Sequence, residues 1–200
     1  MANISFNPML TTSPQNSFLA ETQGYIQGAF FDDDPAINLS LFSGLVASTV
    51  TQPIWGGMAL SETVPTAGAN QFGNNLVLAT ADANLTAFSV FNSAYNMVQT
   101  PGNTVQVAVA GMTTAYFRLG SNAQIVVACS SALVAAIEGG FTNQQVSWDY
   151  TNQQLIPYNS GIGALPVKVL RANTNSQIVS YNSVTGAVTW VPGDAAVIQI

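Results

Sequence analysis

Hydrophobic and polar positions between residues 104 and 138 alternate and break as they would in a small sheet. Val105, Val107 and Val109 recur at every second position around Gln106 and Ala108, and this period of two predicts a strand with its valines on one face. Gly111 interrupts the run. Residues 112–119 make a second β-prone segment, Gly120, Ser121 and Asn122 supply turn residues, and residues 124–129 carry Ile125, Val126 and Val127 as a third. Upstream, Ile37, Leu39 and Leu41 alternate ahead of a β-branched tail, which favours strand over helix. Pro53, Ile54, Trp55, Gly56 and Gly57 break that run, and Trp55 there reads either as a buried corner or as an interface anchor. Residues 76–80 and 85–91 then predict two strands around Asp82, Ala83 and Asn84, with Phe88 and Val90 on one face.

Residues 131–137 are the only stretch with fair helix propensity; helix and strand both fit, and Gly139 and Gly140 would end a helix. An aromatic strand, a polar turn and a second strand follow from Val146, and the pattern returns from Val179. We read these as two hairpins of one small C-terminal sheet, with Gly186 in the left-handed position of the second turn. Pro192 and Gly193 then predict a turn before a final strand that reaches Ile200. At the other end, residues 1–35 carry Pro8, Pro14 and Pro35 among Phe6, Met9, Leu10 and Phe18 without a clean period. Proline fixes φ and removes a donor, so this segment reads as an extended arm, laid either on its own domain or on a neighbouring subunit.

Composition narrows the picture further. Charged residues make up 6% of the 200 residues, against about 25% in ordinary soluble domains. Uncharged polar side chains must provide the solubility, and a surface with few repelling charges suits a protein packed in an assembly. The net charge is −6, with three basic residues. These are Arg118, Lys168 and Arg171, too few to neutralise a phosphate backbone or hold an anionic membrane, so neither nucleic acid nor membrane is an expected partner. A basic protein surface fits better. Asp32, Asp33 and Asp34 form the one charge run, read as a solvated turn, a divalent-cation site or a contact with a basic partner. The first residues lack a basic and apolar leader, and the longest apolar run is too short to span a bilayer; we expect a chain made in an aqueous intracellular space.

Candidate chemistry is sparse. The chain has no histidine and one cysteine, which removes Ser-His-Asp, Cys-His and HExxH arrangements and leaves no zinc or iron–sulfur ligand set. Cys129 sits in an apolar run and reads as a small core residue. Neither a P-loop nor a dinucleotide fingerprint occurs; Gly161, Ile162 and Gly163 read as a plain turn. A carboxylate pair from Glu62, Asp82, Glu138, Asp149 and Asp194 would suit glycoside hydrolysis, but each reads better as a turn cap or a partner for one of the three cations. We expect no enzyme and no cofactor.

The low charge, the Thr-, Asn- and Gly-rich β segments, the Met1-Ala2 start with its proline-containing arm and the closing residues 192–198 together resemble the structural cement, or head decoration, proteins of tailed bacteriophages. That resemblance, spread over most of the chain, implies a virion protein on the capsid exterior, made in the host cytoplasm. It would bind the major capsid protein as a homotrimer and bridge capsomers against internal pressure. Phe6, Met9, Leu10, Phe18, Asp32, Asp33 and Asp34 are the candidate subunit or capsid contacts. Another virion part (minor capsid, head-fibre or tail-tube protein) and a carbohydrate-binding β module are the alternatives. The expected fold is all-β: an arm over 1–35, a β-sandwich or barrel over 36–142, and β hairpins over 143–200 that form either part of that domain or a small subdomain.

Overall fold

The computed structural model describes residues 24–31, 35–63, 74–90, 105–138 and 144–200. Eleven strands dominate it, and the class is all-β. In chain order they are β1 (Phe30–Phe31), β2 (Phe42–Val46), β3 (Ala59–Thr63), β4 (Asn75–Leu78), β5 (Ala87–Val90), β6 (Thr113–Arg118), β7 (Gln124–Ala128), β8 (Val146–Asp149), β9 (Gln154–Pro157), β10 (Lys168–Tyr181) and β11 (Val188–Gln199). Two short helices join them, α1 (Pro35–Asn38) and α2 (Ser131–Glu138).

Strands β2, β4, β3, β5 and β6 close into a barrel, antiparallel except where β2 runs beside β4. Residues opposite one another in a ladder share a face. Pairing Phe42 with Tyr116, Ser89 with Tyr116, Ala87 with Arg118, Leu60 with Leu78 and Glu62 with Leu76 therefore defines one continuous inner surface. Val46, Leu60, Leu76, Ala87 and Tyr116 fill it, one from each strand, together with Trp55 and Met58. The opposite faces of β3, β5 and β6 turn Ala59, Phe88 and Phe117 outward into a second and larger core.

That second core is where the rest of the chain packs. Strands β1, β7, β11 and β10 form a four-stranded sheet in that order, and β8 with β9 forms a separate two-stranded hairpin. Ile125, Val127, Ala196 and Ile198 from the sheet, Trp148 and Leu155 from the hairpin and Leu133 and Val134 from α2 meet the barrel's outer residues there. Trp148 lies edge-on to Phe88, with centroids 5.1 Å apart.

Several expectations need correction. Residues 105–108 form no strand; Ala108 makes only an isolated bridge with Ile54, through two hydrogen bonds of 2.8 and 2.9 Å. Val105, Gln106, Val107 and Ala108 are all buried and Val109 is 44% exposed, so the segment plugs the barrel instead of lining one side of a sheet. Ile37 lies in α1 and Leu39 in the turn after it, 87% exposed, so their alternation marks no strand. Pro192 and Gly193 do not turn the chain but lie within β11. Gln177, opposite Pro192, spends its N–H and C=O on Tyr25 and Gln27 at the far edge of β10. The pair is therefore of the non-hydrogen-bonded kind, and the proline's missing N–H falls on the side away from β10, which β7 does not reach. The two C-terminal hairpins do not share a sheet, because β11 pairs with β7 and carries β10 into the larger one.

The structure decides two readings that the sequence left open, at 131–137 and at Trp55, and the expected turns stand. The segment 131–137 is helical: Ser130 accepts the Leu133 N–H at its Oγ, capping α2, whose Leu133 and Val134 are buried. Gly120 and Asn122 turn the chain with positive φ between β6 and β7, as Gly186 does between β10 and β11. Trp55 occupies a buried corner. Gly57 beside it, at φ +80°, has no room for a Cβ, which would stand 2.9 Å from the Val126 carbonyl oxygen.

Candidate functional site

The face of the four-stranded sheet opposite the main core is the most distinctive surface of the molecule. Val126, Ala195 and Val197 form its buried floor, with Tyr25, Ala29, Phe31, Leu170 and Ile178 packed around them. Residues 24–29 cross this face as a strap. At one edge the Gln177 N–H donates to the Tyr25 carbonyl and the Gln27 N–H to the Gln177 carbonyl, while the buried Gln27 Oε1 accepts from the Val179 N–H at 2.8 Å. At the other edge the Gly28 N–H donates to the Val126 carbonyl, and the Val126 N–H to that of Ala29, both at 2.8 Å. Gly28 makes the crossing possible: it sits at φ +84°, and a Cβ there would lie 2.5 Å from Gly56 Cα.

Beside the strap an open groove of about 530 Å³ remains, lined by Tyr25, Phe31, Gln124, Leu170, Arg171 and Val197. Its chemistry is mixed: Phe31, Leu170 and Val197 are apolar, Tyr25 and Gln124 bring uncharged polar groups, and Arg171 brings a cation. In the sequence Arg171 and Lys168 read as too few to hold a phosphate backbone or a membrane and as partners for carboxylates; the signal missed was that two of the three cations fall within four residues of each other on one segment. Phe31 and Tyr25 had no signal of their own, because only the pairing of β1 with β7 brings them here.

Of the other candidates, Phe6, Met9, Leu10, Phe18, Asp32, Asp33 and Asp34 lie outside the described residues. Glu62 finds Arg118. The two meet at the barrel mouth, where Arg118 donates from Nε to Oε2 at 2.7 Å and from a terminal nitrogen to Oε1 at 2.6 Å, while the Tyr116 hydroxyl donates to Oε1 at 2.5 Å and the Asn74 amide also donates to it. Arg118 covers the Phe42 ring at 4.1 Å. The guanidinium holds the Glu62 carboxyl down to about 2, assisted by Tyr116 and Asn74 against the opposing effect of burial. Asp149 caps its own turn by accepting from the Thr151 and Asn152 N–H groups, and Asp82 accepts from the Tyr150 hydroxyl at 2.6 Å. Glu138 ends α2. Asp194 lies in β11, where its carbonyl accepts from the Cys129 N–H. Burial, with the Asp194 charge behind it, pushes the Cys129 thiol up to about 12.

Trp55 and Tyr181 stand 5.8 Å apart beside a cleft of about 250 Å³ that Gln52, Thr151, Asn152 and Ser180 also line. Trp55 is 4% exposed and offers the cleft no open ring face. Among the described residues, no three His, Cys, Asp or Glu side chains gather as a metal site. No protein-family model matches this chain, and no curated protein or solved structure is significantly similar to it.

Proposed function

We propose that this chain is a non-enzymatic virion structural protein that binds the outer surface of an icosahedral phage capsid as a homo-oligomer, a trimer in our reading, and stabilises the shell by bridging capsomers. The observation that carries the reading is the strapped outer face of the β1-β7-β11-β10 sheet: an open groove that sets Phe31, Leu170 and Val197 beside Gln124 and Arg171, on a molecule with 6% charged residues. The groove's apolar side chains gain from being covered by protein, and few surface charges stand to be desolvated when they are. Many weak copies on a repeating lattice then gain strength through avidity. The chain's own carboxylates support the non-enzymatic part, since Glu62, Asp82 and Asp149 are each engaged by a cation, a phenol or a turn.

The test is to band particles of the phage that encodes this chain on a density gradient and quantify it against the major shell protein. Copy numbers comparable with the shell protein, and accessibility to protease on intact particles, are expected. Absence from the particles overturns the reading, and a handful of copies moves the protein to a tail or vertex.

A further inference from the structure

Two of the chain's three cations stand on one strand without an ion pair among the described residues. Arg118 is committed to Glu62, the only ion pair among the described residues, whereas Lys168 and Arg171 are exposed on β10. The register places both on the outer face of the sheet, because Lys168 lies opposite Gln199 and Arg171 opposite Val197, whose own neighbours are Gln124 and Val126. A shift between Val169 and Arg171 marks a bulge. Leu170 thereby joins the same face, packed with Val126 and Val197, and β10 presents a cation, an aliphatic side chain and a second cation in one row.

Among the described residues, the backbone beside that row is also open. Strand β10 is the last of its sheet, and the strap meets it at Ser176, Gln177 and Val179, with Gly24 lying against Asn173 and Asn175. From Lys168 to Ala172 no described residue pairs with that edge. We propose that this stretch docks an extended acidic segment of a protein partner, which adds as a fifth strand beside β10 with carboxylates at alternate positions facing Lys168 and Arg171. Main-chain hydrogen bonds supply the grip, and the two cations, on a chain of net charge −6, select an acidic segment over a basic one. The inference rests on the reading that the chain works through protein contacts, and it names the edge and the chemistry of what it receives.

The test is fluorescence anisotropy of the full chain with a dye-labelled octapeptide of alternating valine and aspartate. Saturable binding is expected, weakening at high salt and by about tenfold or more in the double variant Lys168→Glu/Arg171→Glu. A valine–lysine octapeptide should not bind, nor should the acidic peptide once its valine nitrogens are methylated, since it can no longer add as a strand. An unchanged thermal melt checks that the variant is folded. The proposal is overturned if the acidic peptide does not bind, which would leave the cations as guards against edge-to-edge aggregation. Equal binding of the lysine peptide, or binding that survives the charge reversal or the methylation, overturns it as well. A chain present on particles that fails the peptide test loses this inference alone; one that binds the peptide but is missing from particles loses the shell reading.

Discussion

Glu62 finds its cation on another strand, where Arg118 meets it at the barrel mouth. Its side chain is 13% exposed and receives a bidentate guanidinium whose own side chain is 42% exposed, so solvent screens one end of the pair. Removing the charge with Glu62→Gln should therefore cost a modest amount, about 1–2 kcal/mol at neutral pH. The dependence on pH has a definite sign. The folded carboxyl titrates at about 2 against an ordinary 4.5, so the stabilisation is complete above about pH 4.5 and fades as pH falls toward 2. Urea melts of wild type and Glu62→Gln across that range should converge at the acid end; a gap that stays constant with pH would show that the ion pair is not its source.

Elements were legible wherever periodicity and turn chemistry agreed, and misread where the two conflicted. The alternation around Val107 is genuine in the sequence, yet all four residues from Val105 to Ala108 are buried because a barrel end surrounds them. Proline and glycine at 192 and 193 have the composition of a turn, but a strand paired on only one side at that point tolerates both. The β8–β9 hairpin was foreseen, while the device that seats it was not. Gln153 adopts φ +53°, is buried, accepts the Ala59 N–H at Oε1 and donates from Nε2 to the Tyr150 carbonyl, tying the turn to barrel strand β3. Gln153→Ala leaves a buried N–H without a partner and should cost about 1–3 kcal/mol. Gln153→Gly should be the milder of the two, because glycine adopts this backbone freely. Chemical denaturation ranks them, and equal stability of all three proteins would remove the turn's anchoring role.

At the scale of the molecule, barrel, sheet, hairpin and helix α2 contribute to one continuous core, with Trp148 as its largest fully buried side chain. Unfolding should accordingly be a single cooperative transition, with near- and far-ultraviolet dichroism coincident. Trp148→Ala should cost about 3–5 kcal/mol. Trp148→Phe should cost clearly less, since it keeps the ring against Phe88 and removes an indole N–H that is buried without a partner. Two separated transitions, or a phenylalanine variant as damaged as the alanine one, would contradict a shared core. The candidate groove belongs to this scale too: Phe31, Gln124, Val197 and Arg171 come from four strands, and no local pattern joins them.

The amino-acid sequence by itself determined the all-β class, the turns at Gly120, Asn122 and Gly186, the burial of Cys129 and a nearly charge-free surface, because each follows from the backbone preference or transfer energy of one residue or its near neighbours. Only the tertiary structure decided that β2 would lie parallel to β4 and close a barrel, that β11 would join β7, that Glu62 would meet Arg118 fifty-six residues away and that Arg171 would line a groove with Phe31, Gln124 and Val197. A period of two records which face a side chain takes; it carries no record of which strand lies beside it, and that choice is made by packing the whole chain around its shared core.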